Sequence, residues 1–210
     1  SYNSVGSSYC GLGDLAKGLE YFEKALQIFL SLYGAEHPHV AASYNSVGQG
    51  YLGLGDLSKG LSYQEKALQI RLSLYGAEHP DVANSYKNVG HSYLKSKKYR
   101  EAQIAFEKAL SVRLSLYGYV HPEVAYAYYI AGVANFHCEA YQEARAYAER
   151  AFLINQQLGV TDGEPIEDCK NLFEESTRAL NRRPGFRQLP TKLGGQQQGG
   201  RKKKKKRRRR

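Results

Sequence analysis

Three histidines, His37, His79 and His121, stand before proline at steps of 42 residues. Imidazole is the side chain best suited to bind a metal or move a proton near neutral pH, so a reaction would be sought there first. The spacing argues against it. One histidine per segment of fixed length cannot converge on a single ion, and a His-Pro pair before a helical pattern reads as turn and cap. Cys10, Cys138 and Cys169 are odd in number and far apart, with no Cys-x-x-Cys pair, which predicts neither a disulfide framework nor a zinc site. Three scattered thiols fit a reducing compartment. No Ser/His/Asp set, Cys/His set or paired carboxylates stand out. The glycines of Gly11-Leu-Gly-Asp14 and Gly53-Leu-Gly-Asp56 are turn glycines rather than a phosphate loop. With no nucleophile and base to name, neither an enzyme nor a cofactor is expected.

The remaining chemistry is recognition. A carboxamide donates and accepts at once, so asparagines set at intervals can grip the backbone of an extended peptide without reading its side chains. Asn3, Asn45 and Asn88 supply one such group per segment, Asn88 lying one position over from the other two, and Gln49 follows one turn later. Lys87, His91 and Lys95 add positive character beside them and favour acidic peptides.

A second binding element is the terminal run of Arg201, Lys202, Lys203, Lys204, Lys205, Lys206, Arg207, Arg208, Arg209 and Arg210. These ten account for the whole formal charge of +10, because the other 20 Lys and Arg match the 20 Asp and Glu. The run reads as a nuclear import signal taken up by importin, as a non-specific ligand of nucleic acid or acidic membrane, or as low-complexity sequence without a selected role. No aromatic residue interleaves it, which disfavours base stacking. It follows Leu193-Gly-Gly-Gln-Gln-Gln-Gly-Gly200, a Gly/Gln linker, and the stretch 184–200 is expected to be disordered.

What positions these residues is a repeat. Leu30-Ser-Leu-Tyr-Gly-Ala-Glu-His-Pro38 returns unchanged at Leu72–Pro80 and in worn form at Leu114–Pro122, 42 residues apart each time. Tyr2, Tyr44, Tyr86 and Tyr128 keep the same step, as do Gly6, Gly48, Gly90 and Gly132, and Ala25, Ala67, Ala109 and Ala151. A fixed period of this size predicts a stacked helical solenoid. In the third segment Pro80 opens a helix whose apolar face is Val82, Ala83, Tyr86, Val89, Gly90 and Tyr93. A second helix over about 99–116 carries Ala102, Ala105, Phe106, Ala109, Leu110 and Val112, with Gly118 as a left-handed C-cap. Asp14 and Asp56 are N-caps of the corresponding earlier helices. Gly48, Gly60 and Ala67 let paired helices approach, and Gly90→Leu should overpack such a contact. The units are 1–36 (truncated), 37–78, 79–120 and 121–160, followed by an amphipathic capping helix within 161–183. No apolar run is long enough for a membrane span. The chain has no Met and opens at Ser1-Tyr2, which matches Ser43-Tyr44 in mid-repeat, so it reads as a fragment of a longer protein.

Tyr44, Val47, Gly48, Tyr51, Gly60 and Ala67, with Tyr86, Val89, Gly90, Tyr93, Ala102, Phe106 and Ala109, stand at the spacings of the tetratricopeptide repeat consensus. The 42-residue period, His-Pro-Asp-Val-Ala at 79–83 and Glu-Lys-Ala-Leu on the second helices resemble kinesin light chain repeats, and nephrocystin-like proteins and the repeat arms of some immune-type receptors look similar. Asn45-Ser-Val-Gly48 replaces the Asn-Asn-Leu-Ala usual in kinesin light chains. The resemblance covers about residues 1–160. It implies an all-α, right-handed superhelix of antiparallel helix pairs whose first helices line a concave peptide-binding groove. The expected function is a cytoplasmic adaptor. A nuclear or nucleic-acid-associated factor working through the tail, or the sensor arm of a larger signalling receptor, are the alternatives.

Overall fold

The computed structural model describes residues 2–184 and 189–193. The basic run 201–210 and most of the Gly/Gln linker lie outside them. Among the described residues there are nine helices and no strand: α1 (Tyr2–Gly11), α2 (Leu15–Tyr33), α3 (Pro38–Gly53), α4 (Leu57–Tyr75), α5 (Pro80–Lys95), α6 (Tyr99–Tyr117), α7 (Pro122–His137), α8 (Tyr141–Gln157) and α9 (Glu164–Asn181). Consecutive helices pack as antiparallel pairs, α1 with α2 through α7 with α8, and each pair packs on the next. α9 covers the last pair, burying Ile166, Cys169, Leu172, Phe173 and Leu180. None of the described helices is long and apolar enough to cross a membrane.

The punctuation is chemical and periodic. His37, His79 and His121 are N-caps, each Nδ1 accepting from the backbone N–H two residues on at 3.1–3.2 Å. Each imidazole stacks on the tyrosine four residues earlier, Tyr33, Tyr75 or Tyr117, at 4.2–4.3 Å. Asp14 and Asp56 accept from the N–H of Lys17 and Lys59 at 3.1 and 3.0 Å. In the same column Lys98 and Ala140 make no side-chain cap.

Gly118 differs from the expected left-handed cap. Its φ of 69° is positive, but its ψ of −171° is extended, and Gly34 and Gly76 share the shape. That region is essentially closed to residues with a Cβ. It lets the chain leave the helix straight while the glycine N–H still closes on the carbonyl four residues back. Positive φ also recurs in the short turns within pairs. Gly13 and Gly55 hold φ of 87° there, and Lys97 and Glu139 hold 58° and 59° in the same column.

Close approach explains the glycine column. A Cβ on Gly90 would lie 2.5 Å from Cε1 of Phe106, and one on Gly48 would lie 2.8 Å from Gln64 Cγ and 2.9 Å from the Gly60 carbonyl. Between pairs, a second-helix side chain meets the first turn of the next unit. Phe29 stacks on His39 at 5.4 Å, Arg71 donates to the Ser85 hydroxyl at 2.7 Å beside Asp81, and Arg113 pairs with Glu123 at 2.8 Å.

The packed body runs past the expected boundary at 183. Asn181 accepts from the Leu189 N–H at 2.8 Å and donates to its carbonyl at 3.1 Å. Leu193 then packs on the cluster of Ala148, Leu172 and Phe173, which also receives Tyr129, Val133 and Phe136 of α7. The stretch 184–200 expected to be disordered lies mostly outside the described residues; within it, 189–193 make these contacts.

Candidate functional site

Along α5, residues 84, 87, 88, 91 and 95 recur at the spacing that shares one side of a helix. The same side of α3 carries 45 and 49. Between these two helices lies a cleft of about 520 Å³, and Gln49, Asn88, His91 and Lys95 all line it. Four of the residues singled out by sequence are thus brought together. Asn45 joins them through Asn88, whose Nδ2 donates to Asn45 Oδ1 at 2.7 Å. This pair leaves the Asn45 amide and the Asn88 carbonyl for a ligand.

The asparagines do not form a ladder of independent grips. Asn45 and Asn88 hold each other across adjacent first helices, and Asn3 sits one unit away. Asn3 donates to the buried Ser43 hydroxyl at 3.2 Å, and its own Oδ1 is buried without a hydrogen-bond partner. Lys87 does not line the cleft. It faces the α6–α7 side, where burial and the nearby Arg113 lower its pKa while Glu123 opposes them.

The cleft floor was not legible as a site. Gln64 of α4 is buried and accepts from the Ser92 hydroxyl of α5. Gln64 is polar in a column otherwise apolar, Phe22, Phe106 and Ala148, whereas Ser92 shares its column with Ser8, Gly50 and Ala134. The Gln64 column alone carried a signal, a polar residue at an apolar position. Arg113 was also missed. Only 1% exposed, it donates from Nη2 to Asn84 at 3.1 Å and pairs with Glu123, while its Nη1 has no hydrogen-bond partner.

The electrostatics favour anions. His91 is half-buried, edge-on to the Phe106 ring at 5.0 Å. Burial first, then the charges of Lys87, Lys95 and Arg113, hold its pKa below the usual histidine value. The ring is therefore neutral near pH 7, and a carboxylate entering the cleft would meet Lys95 directly and stabilise the protonated imidazole. The groups present offer hydrogen bonds and positive charge, which suit binding rather than bond-breaking.

The tetratricopeptide repeat model matches residues 1–59 and 51–115, more than half of the chain. The chain belongs to the tetratricopeptide repeat family. Such repeats form protein–protein interaction scaffolds, because their curvature presents an extended concave surface. Among solved structures, kinesin light chain-type TPR-like repeats from Podosopora anserina superpose with a TM-score of 0.78 at 18% identity, covering 87% of this chain and 86% of that one. BtubC (BKLC) from P. vanneervenii gives 0.71 at 25% identity over 78% of this chain and 65% of its own. The signal-transduction ATPase PH0952 from Pyrococcus horikoshii, which carries a tetratricopeptide repeat sensor, gives 0.68 at 19% identity, with 84% of this chain on 26% of that one. No curated protein matches significantly in sequence.

Proposed function

We propose that the chain is a kinesin light chain-like adaptor that holds acidic segments of partner proteins on its first-helix face. The four units of 1–160 and the capping helix act as the binding body. The observation that carries this reading is the α3–α5 cleft, where paired carboxamides and Lys95 converge on one open space. Asn45 and Asn88 bond the peptide backbone, while Lys95, with His91 beside it, selects side-chain carboxylates. The return of 189–193 onto the last units, through a bidentate asparagine and one leucine, is an intramolecular example of a non-helical segment held by this repeat stack.

Panning displayed twelve-residue peptides against the full chain tests the proposal. The expected winners are rich in Asp and Glu, and lose at least tenfold in affinity on Lys95→Glu and on Asn45→Ala plus Asn88→Ala. Winners of no charge preference that bind all variants equally would overturn it.

A further inference from the structure

The side of α5 opposite the cleft carries a second feature, visible only by comparing columns. Tyr86 and Tyr93 lie about 180° around the helix from Asn88, His91 and Lys95. In the other units, the first-helix tyrosines are packed by a tyrosine from the second helix. Tyr21 stacks on Tyr2 and Tyr9 at 6.0 and 5.3 Å. Tyr63 meets Tyr44 and Tyr51 at 5.9 and 5.5 Å, and Tyr147 meets Tyr128 edge-on at 5.7 Å. The third unit has Ala105 in this column. The ring is missing, and a slot of about 250 Å³ opens between Tyr86, Tyr93 and Ala105, with Leu68 and Val89 in its wall.

Two further columns change at the same place. Lys17 and Lys59 lie over the rings of Tyr9 and Tyr51 at 5.5 and 5.0 Å, and the residue of that column in the third unit is Glu101, on the rim of the slot. Glu20 and Ser62 are replaced by Ile104, an apolar side chain 46% exposed beside the opening. Tyr93 has therefore lost both the stacked ring and the cation that its counterparts own. Its hydroxyl is anchored on Glu65 at 2.7 Å, and Lys108 closes the other end over Tyr86 at 5.3 Å.

We propose that this slot docks an aromatic side chain of a partner protein, a tyrosine with a Lys or Arg beside it. The chain itself shows the chemistry that fits, since Tyr63 and Lys59 supply that ring and that charge one unit earlier. Glu65 and Glu101 at the rim attract the partner's cation, and Ile104 and Leu68 cover the ring. This site and the acidic-peptide cleft lie on opposite sides of α5, so one scaffold can hold two segments at once.

Fluorine NMR of the full chain with acetyl-Lys-(3-fluorotyrosine)-Lys-amide tests it, using the Glu-flanked peptide as comparison. The expected result is broadening of the Lys-flanked peptide, at least threefold weaker for the Glu-flanked one. Ala105→Tyr should restore the internal ring and reduce binding at least tenfold. The exposed Glu101→Lys, which leaves the core untouched, should erase the preference for flanking lysine. Failure of wild type to bind, or binding undiminished in Ala105→Tyr together with an unchanged charge preference in Glu101→Lys, would overturn the proposal. Neither variant touches the α3–α5 cleft.

Discussion

Gly90 offers the sharpest test of how the helix pairs are held. A methyl group there would stand 2.5, 2.7 and 3.0 Å from three carbons of the Phe106 ring. Ordinary carbon contacts lie at about 3.5–4.0 Å, so the overlap is about 1 Å. Phe106 is fully buried in the main cluster and cannot swing aside. Overpacking of this kind costs about 1–3 kcal/mol, and replacing a helical glycine by alanine returns about 1 kcal/mol of propensity. Gly90→Ala should therefore be destabilising by up to about 2 kcal/mol, with Gly90→Leu worse. At about 2–4 °C per kcal/mol for a chain of this size, the Tm falls by several degrees. Gly132→Ala, whose new methyl would meet Cδ2 of Leu172 at 3.0 Å and the Ala144 carbonyl and Tyr147 Cβ at 3.3 Å, should be milder. Gly11→Ala meets nothing within 4 Å and should report propensity alone. Circular dichroism melts at 222 nm give the ranking. In a Phe106→Ala background the sign should reverse, because the methyl then fills space the ring has left. If Gly90→Ala lowers Tm equally in both backgrounds, or raises it in the native one, Phe106 is not what keeps this position glycine.

Three further substitutions follow from the same geometry. Lys97 and Glu139 sit at φ near 60°, where Gly13 and Gly55 serve in the earlier units. Lys97→Gly and Glu139→Gly should each stabilise by about 0.5–1 kcal/mol, the left-handed strain relieved less the entropy glycine adds to the unfolded chain, and an unchanged or lower Tm would refute this. His91 has a folded pKa held below its unfolded value by burial and three cations, so it binds fewer protons when folded. Its contribution is present above about pH 6.5, the unfolded value, and is lost as pH falls through the folded one. His91→Gln should reduce the drop in Tm between pH 7.5 and pH 5, and an identical drop in both proteins would count against the assignment.

The repeat made most of the fold readable, because each column is sampled several times. His79-Pro80, Asp56 and Gly90 announce cap, turn and close contact wherever they recur, and the helices fall within a residue or two of the expected ends. Legibility failed where one column was changed to suit another. Gln103 donates to Asn135 at 2.9 Å across two units, in columns otherwise led by leucine and tyrosine. Taken singly, each looks like a solvated polar residue. Only packing shows that both are buried and mutually satisfied. The asparagines near the cleft show another side of this: their spacing gives no hint of contacts among themselves, and tertiary packing joins Asn45 to Asn88 and Asn3 to Ser43. The packing of Leu193 was hidden by a glycine-rich neighbourhood that carries no periodicity.

The joint between units has a bearing on how such a chain changes length. Residues 30–38 and 72–80 are identical, and their glycine dihedrals and Tyr–His stacking distances agree. A crossover between the two copies would delete or duplicate one whole unit without disturbing the backbone path, lengthening or shortening the groove in quanta. The neighbouring contact is not interchangeable in the same way. Phe29 faces His39, whereas Arg71 faces Asp81 and Arg113 faces Glu123. Loss of 37–78 would set Phe29 against Asp81, an aromatic ring against a carboxylate. Each unit thus carries a universal hinge and a private key, and the key decides which crossover products keep a sound stack.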